Sequence, residues 1–243
     1  MKKVFAYIGS HQGKNSCTAQ LAERIIKKAA AFSDVPFQYE IMTSDQINIQ
    51  PCHGCCNCFR SCVCPIDQTD EMPLLKQKLE EADFVLLGSP VYAHQVSGQM
   101  KTVLDRISYW LHLFKLVGTP GIALSTTASS GEMEVLNYLV KLMYPLGLKP
   151  VGAYNAYALF QGEFLHETEV ERKAVKAATT VSQYISGKKE LKSNEQLDLL
   201  FESMKRMILS CKDTKPGEYD YWEQRGYLQC ESYQDLLDGK HSR

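Results

Sequence analysis

A chain of 243 residues that is 44% hydrophobic and 23% charged has the make-up of a globular protein with a substantial core, which excludes fibrous and low-complexity classes. A net charge of -1 gives no overall pull toward nucleic acid or an anionic membrane, and no apolar stretch is long enough to span a bilayer. The basic start at Lys2 and Lys3 leads into an apolar run that ends almost at once in a glycine loop, unlike a signal peptide, so a cytoplasmic protein is expected.

Val4 to Ile8 is a continuous apolar run of strand formers, followed by the polar loop from Gly9 to Thr18. Leu21, Ala22, Ile25, Ile26 and Ala29 then recur at helical spacing. Phe37 to Ile41 reads as a second strand. A loop from Pro51 to Cys64 follows, holding six of the nine cysteines. Pro73 opens a helix carrying Leu75 and Leu79, with Asp70 and Glu71 near its positive end.

Phe84 to Gly88 is the next strand, running into a turn at Ser89-Pro-Val-Tyr92. Ser97 is placed to cap a helix with apolar face Met100, Val103, Leu104, Ile107 and Leu111. Gly121 to Ser125 repeats the pattern, with a hydroxyl-rich loop from Thr126 to Gly131 and a helix through Leu136, Leu139, Val140 and Met143. Val151 to Leu159 is the last strand. Thr168 to Glu171 matches a capping box before Ala174, Ala178 and Val181, and Ser193 to Gln196 matches another before Leu197, Leu200, Phe201, Met204 and Ile208.

Continuous apolar strands alternating with helices predict an α/β domain over residues 1–187 with a doubly wound, five-stranded parallel sheet. Residues 188–243 read as a carboxyl-terminal helical extension, and its Trp222 is a candidate intersubunit contact.

In such sheets ligands bind beyond the carboxyl ends of the strands. The first loop, with permissive glycines, hydroxyls and a helix amino terminus behind it, suits a phosphate. It is not a nucleotide P-loop, because only three residues separate Gly9 from Gly13 and Asn15 stands where Ser or Thr would bind magnesium. Ser89 to Tyr92 and Thr126 to Gly131 offer a rigid aromatic turn and a set of polar donors, between which a flat heteroaromatic ring fits.

Within the cysteine loop, Cys52, Cys55, Cys58 and Cys64 are spaced C-x2-C-x2-C-x5-C. In a reducing compartment such crowding points to metal or redox chemistry rather than structural disulfides. Four thiolates suit an iron-sulfur cluster or a structural zinc ion, and the neighbouring Cys55–Cys56 and Cys62–Cys64 suit thiol-disulfide exchange. Cys211 and Cys230 read as inert thiols, and His11, His53 and His94 as polar loop residues.

Taken together, the first loop, Ser89-Pro-Val-Tyr92 with Gln99-Met-Lys101 and Asp105-Arg106, and the cysteine loop resemble the flavodoxin-like NADPH-dependent FMN reductase and iron-sulfur flavoprotein superfamily over roughly residues 1–185. His11, Gln12 and Cys17 depart from that family's Arg and Asn-Thr pattern. The resemblance implies a flavodoxin-like fold and an FMN-dependent NAD(P)H oxidoreductase whose flavin carries the chemistry, with no catalytic side chain. It assigns the FMN phosphate to Ser10, Gln12, Asn15, Ser16, Cys17 and Thr18, the isoalloxazine to Pro90, Val91 and Tyr92, and its polar edge or the ribityl chain to Thr126, Thr127 and Ser129. Lys101, Asp105 and Arg106 hold helix and loop in place.

The acceptor implied is a flavin, quinone, nitro or azo compound, or a redox protein. A second reading is an electron-carrying iron-sulfur flavoprotein with a [4Fe-4S] cluster on Cys52, Cys55, Cys58 and Cys64. A third is a nonredox metal- or partner-binding protein on the same fold. A homodimer or homotetramer is expected, because one flavodoxin-like subunit leaves a face of its flavin open.

Overall fold

The computed structural model describes residues 1–160 and 162–239, so residues 240–243 of the expected extension lie outside the described residues. Strand β1 (Lys2–Ile8) is apolar on both faces, with Val4, Ala6 and Ile8 in one core and Phe5 and Tyr7 in the other. That two-sided burial puts it inside the sheet, between two other strands. Helix α1 (Cys17–Phe32) follows and lays Leu21, Ala22, Ile25, Ile26 and Ala29 on the first of these cores. Strand β2 (Phe37–Thr43) then pairs parallel to β1 as the sheet edge.

The cysteine segment carries one short helix, α2 (Cys58–Ser61), and α3 (Met72–Glu81) follows with Pro73 in its first turn. Strand β3 (Phe84–Tyr92) pairs parallel to the other side of β1. It continues through Ser89-Pro-Val-Tyr92, where a turn was expected, because Val91 and Tyr92 pair antiparallel with β4 (Gln95–Val96). Helix α4 (Gly98–Arg106) is capped by Ser97, whose Oγ accepts from the Met100 N–H at 3.1 Å. Strand β5 (Thr119–Thr127), helix α5 (Glu132–Leu146) and strand β6 (Leu148–Phe160) complete a sheet whose parallel strands run in the order β2-β1-β3-β5-β6.

A short β7 (Glu163–Phe164) folds back on β6, and α6 (Glu167–Ile185) packs beside α1. The expected doubly wound architecture with five parallel strands is therefore present, with two short antiparallel additions.

Two capping expectations differ from the structure. Helix α6 starts at Glu167 behind a left-handed His166 with no side-chain cap, which places Thr168 inside the first turn. In the extension the cap is Asn194 rather than Ser193: its Oδ1 accepts from the Leu197 N–H at 3.0 Å, while Ser193 donates to Asp198. Both residues can cap, and the extended backbone falls at the second.

The extension forms α7 (Glu195–Ser210), α8 (Pro216–Gln224) and α9 (Tyr233–Asp238). It shares the main core through Leu197, Phe201, Trp222 and Tyr233. Trp222 is 0% exposed, stacks on Phe201 at 5.5 Å and donates its Nε1–H to the His112 carbonyl at 2.8 Å. This corrects the expectation that it reaches a second subunit, since its ring is consumed within its own chain. Among the described residues no helix is long and apolar enough to cross a membrane.

Candidate functional site

The strand order reverses between β1 and β3, whose carboxyl ends meet at the Ile8–Gly88 pair. There the diverging loops leave a cavity of about 570 Å³, within the range of cofactor sites. Its walls include Ser10, Gln12, Ser16, Cys17 and Thr18 from the first loop, and Pro90, Val91 and Tyr92 from β3. Thr126 and Thr127 face it from the end of β5. Ten of the twelve expected residues are thus brought together; Asn15 and Ser129 sit on the same loops but do not line the cavity. Ala128 and the β6 end, Ala158, Leu159 and Phe160, are walls the sequence reading missed. The available signal was the rule already applied to the other strands, that a strand's carboxyl end faces the ligand.

Local packing holds these loops close. A Cβ on Gly9 would stand 2.5 Å from the Met100 Cβ and 2.9 Å from its backbone, so only glycine lets the first loop cross the start of α4. The Ser97 hydroxyl donates to the Gly9 carbonyl, and the Ser97 N–H donates to Ser89 Oγ at 2.9 Å. Opposite, Gly131 has φ of +90°, and a Cβ there would stand 2.7 Å from Val91 Cγ1 and 3.0 Å from His94 Cα. The β3–β4 turn itself uses Ala93 and His94 at φ of 49° and 59°, the twist a two-residue hairpin needs, without the usual Asn or Gly.

The chemistry of the cavity divides in two. Its floor is the amino terminus of α1, where Ser16 Oγ accepts from the Ala19 N–H at 3.2 Å and Thr18 and Thr126 share a 2.5 Å hydrogen bond. The remaining first-turn N–H groups and the helix dipole favour an anion. No charged side chain lines the cavity among the described residues, so the donors there are neutral hydroxyls, amides and N–H groups. Its mouth is apolar and open, with Tyr92, Leu159 and Phe160 at 49%, 54% and 73% exposure. A phosphate at the polar end and a flat ring at the apolar end match FMN.

A second cavity of about 370 Å³ is lined by Cys52, Cys55, Cys58 and Cys64, the four cysteines selected by spacing, with Cys56 beside them. Cys62 does not line it. Cys58 and Cys64 are buried and Cys52 and Cys55 exposed. Burial, reinforced by the thiols of Cys64, Cys52 and Cys55, pushes the Cys58 thiol up to about 11. Burial and then the Glu218 carboxylate likewise push Cys62 up to about 11.

Among the described residues no three His, Cys, Asp or Glu side chains converge on the position of one metal ion. A single zinc ion would draw its sulfurs to within about 4 Å of one another. A [4Fe-4S] cluster would be held by four thiolates, and Cys52, Cys55, Cys58 and Cys64 would supply them. Four thiolates around one cavity are the donor set that such a cluster uses.

The ends of the cysteine loop are tied by Arg106, which is 1% exposed at the end of α4. Its guanidinium donates to the Gln50 carbonyl at 2.8 Å, to Asp67 at 2.7 Å and to both oxygens of Asp70. Lys76 donates to the other Asp67 oxygen. Asp105 lines the cysteine cavity and pairs with Lys101 at 2.5 Å. Burial alone would raise the Asp70 carboxyl, but hydrogen bonds from Arg106 and from the Gln50 and Met72 N–H groups hold it below the usual carboxylate range.

A family model described as NADPH-dependent FMN reductase matches residues 2–161. An iron-sulfur flavoprotein of Archaeoglobus fulgidus is 29% identical over 194 residues, covering 79% of this chain and 86% of its own. One from Clostridioides difficile is 24% identical over 229 residues, covering 93% of this chain and 100% of its own, including most of the extension. Among solved structures, an NADH:FMN oxidoreductase superposes with a TM-score of 0.54 at 18% identity over 76% of this chain and 91% of its own. A Bacillus anthracis FMN-dependent NADH-azoreductase gives 0.55 at 12% identity over 76% and 100%. At those identities the structures establish the flavodoxin-like fold, while the family model sets aside the nonredox reading.

Asp70→Asn removes one half of a buried ion pair and should cost about 3–5 kcal/mol at neutral pH. Because the Asp70 pKa is depressed by folding, its contribution is full above the unfolded value of about 3.9 and is lost as pH falls through the folded value. Urea unfolding of wild type and variant at successive pH values should show the gap closing below about pH 4. A gap independent of pH would contradict this origin.

Proposed function

The chain belongs to the NADPH-dependent FMN reductase family, and from that premise we propose an NAD(P)H-dependent oxidoreductase that holds FMN at the sheet's switch point. Its acceptor is a small molecule of the flavin, quinone, nitro or azo type, or a redox protein. The observation that carries the reading is the two-part cavity, with hydroxyls and free N–H groups at the α1 terminus and Pro90, Val91 and Tyr92 at the mouth. When bound, FMN supplies two-electron exchange with a nicotinamide and one-electron exchange with other carriers.

The protein's part is binding and orientation. Ser10, Ser16 and Thr18, with Gln12, Asn15 and Cys17 on the same loop, hold the phosphate through neutral donors and the helix terminus. Pro90, Val91 and Tyr92 support one side of the ring system, and Thr126, Thr127 and Ser129 serve its polar edge or the ribityl chain. No side-chain acid or nucleophile is required.

The enclosure of Cys52, Cys55, Cys58 and Cys64 around one cavity favours the second reading, in which these residues also hold a [4Fe-4S] cluster and the protein relays electrons. The relatives named iron-sulfur flavoproteins support it. The free thiols suit a reducing cytoplasm, where cell fractionation should find the protein.

An anaerobic absorption spectrum, with iron and acid-labile sulfide counted against FMN, tests both readings. Bleaching of a flavin band by NADPH or NADH supports the reductase, and failure of both donors removes it. About four irons and four sulfides per FMN are expected if the cluster is present, and none if the cysteines stay free.

Ser16→Asp keeps a good helix cap but places a carboxylate where the phosphate is expected, so FMN affinity should fall on the order of 100-fold in a fluorescence-quenching titration. Unchanged affinity would move the phosphate elsewhere.

The exposed apolar rim of Tyr92, Leu159 and Phe160 supports a homodimer or homotetramer that covers the flavin. Light scattering should give a multiple of 27.5 kDa that Phe160→Glu reduces, whereas a wild-type monomer would refute the assembly.

A further inference from the structure

Helix α2 carries Cys58 and leads to Cys62 and Cys64, yet it is only four residues long and its Asn57 cap makes no side-chain hydrogen bond. A helix of that length has no stability of its own and takes its place from what packs on it. That partner is α8 of the extension. A Cβ on Gly217 would stand 2.5 Å from the Arg60 carbonyl oxygen and 3.0 Å from the Ser61 backbone, so the two helices meet backbone to backbone.

The next residue, Glu218, is 0% exposed. Its Oε1 lies 2.8 Å from His112 Nδ1, while its Oε2 has no hydrogen-bond partner and lies 3.8 Å from Lys215 Nζ. The His112 ring packs 5.1 Å from the Phe59 ring of α2, and Lys215 Nζ sits 5.5 Å from that Phe59 ring. His112 is itself held by the Trp222 Nε1–H on its carbonyl. A buried carboxylate is costly, and an apolar side chain would fill the same space without that cost. The flavin cavity uses none of these residues.

We propose that the carboxyl-terminal extension forms a supporting wall behind α2, outside the lining of the cysteine cavity itself, with Glu218 the positioning residue that acts through His112 and Phe59 to fix α2 and so the places of Cys58 and Cys64. Arg106 ties the ends of the loop, and Glu218 ties its middle. The wall deepens the cluster reading, on which only the iron arm of the test rests.

The test is made first on the FMN-loaded protein without iron, by hydrogen exchange at the Phe59, Arg60, Ser61 and Cys62 amides, which bond to carbonyls within the loop. Glu218→Ala should speed their exchange about tenfold or more, and Glu218→Gln, which keeps an acceptor for His112, should stay within about threefold of wild type. Gly217→Val should match Glu218→Ala, and if it fails to fold the Glu218 pair decides. Exchange in the β1 and β3 amides and the FMN content should not change.

After reconstitution with iron and sulfide, Glu218→Ala should retain less than about half the iron per FMN of wild type, and Glu218→Gln nearly all of it. Unchanged exchange in a folded Glu218→Ala, or equal effects of Ala and Gln, would overturn the proposal. A wild type that takes up no iron would defeat the cluster reading alone, leaving the exchange result to decide the wall.

Discussion

The buried guanidinium of Arg106 is the constraint on which the cysteine loop depends. Residues 51–64 have no sheet ladder and only one short helix, so their backbone must be placed from outside. Arg106 does this with one planar group that reaches the carbonyl of Gln50 on the entering side and the carboxylates of Asp67 and Asp70 on the leaving side. Asp70 completes the closure by accepting from the Gln50 N–H at 2.9 Å. A lysine has the charge but lacks the fixed fork that spans three acceptors. Such a buried pair adds little net stability, because desolvation offsets the attraction, and its gain lies in specifying one loop geometry.

The same helix joins the two sites. The amino end of α4 receives the first loop through Ser97 and the close approach of Gly9 to Met100, and its carboxyl end carries Arg106. The cavity at the switch point and the cysteine loop are thus referenced to one nine-residue rigid body. A family whose chemistry lies in bound cofactors needs that fixity more than it needs reactive side chains. This accounts for a flavin cavity walled by neutral groups, in which the helix terminus supplies what attraction for an anion there is.

What could be read from sequence follows the range of the interactions. The inner parallel strands were legible because they are apolar on both faces, as Val4 to Ile8 is, and the helices because their apolar residues recur with the turn. The phosphate loop and the four cysteines were legible because their members are close in sequence. The β3–β4 hairpin was not, since its turn residues Ala93 and His94 take left-handed φ without a Gly or Asn to signal it. The Phe160 wall was legible in principle, since the carboxyl-end rule that marks Thr126 at β5 also marks the end of β6. The role of Asp67 and Asp70 was hidden because their partner Arg106 lies 39 and 36 residues away.

Trp222 shows how such a misreading arises and what it costs. An exposed-looking aromatic segment, Tyr219 to Trp222, suggests a surface for another subunit when seen alone. In the fold, Phe114, Phe201, Tyr227 and Trp222 close on one another within one chain, with ring centroids from 5.5 to 5.9 Å around Trp222. That cluster anchors α8, and an anchored α8 brings Gly217 and Glu218 against the cysteine helix. The extension's apolar burial is therefore spent inside the molecule, where it turns a loop of exposed thiols into one with a fixed wall. The open apolar rim that could still meet a second subunit lies at the other cavity, on Tyr92, Leu159 and Phe160.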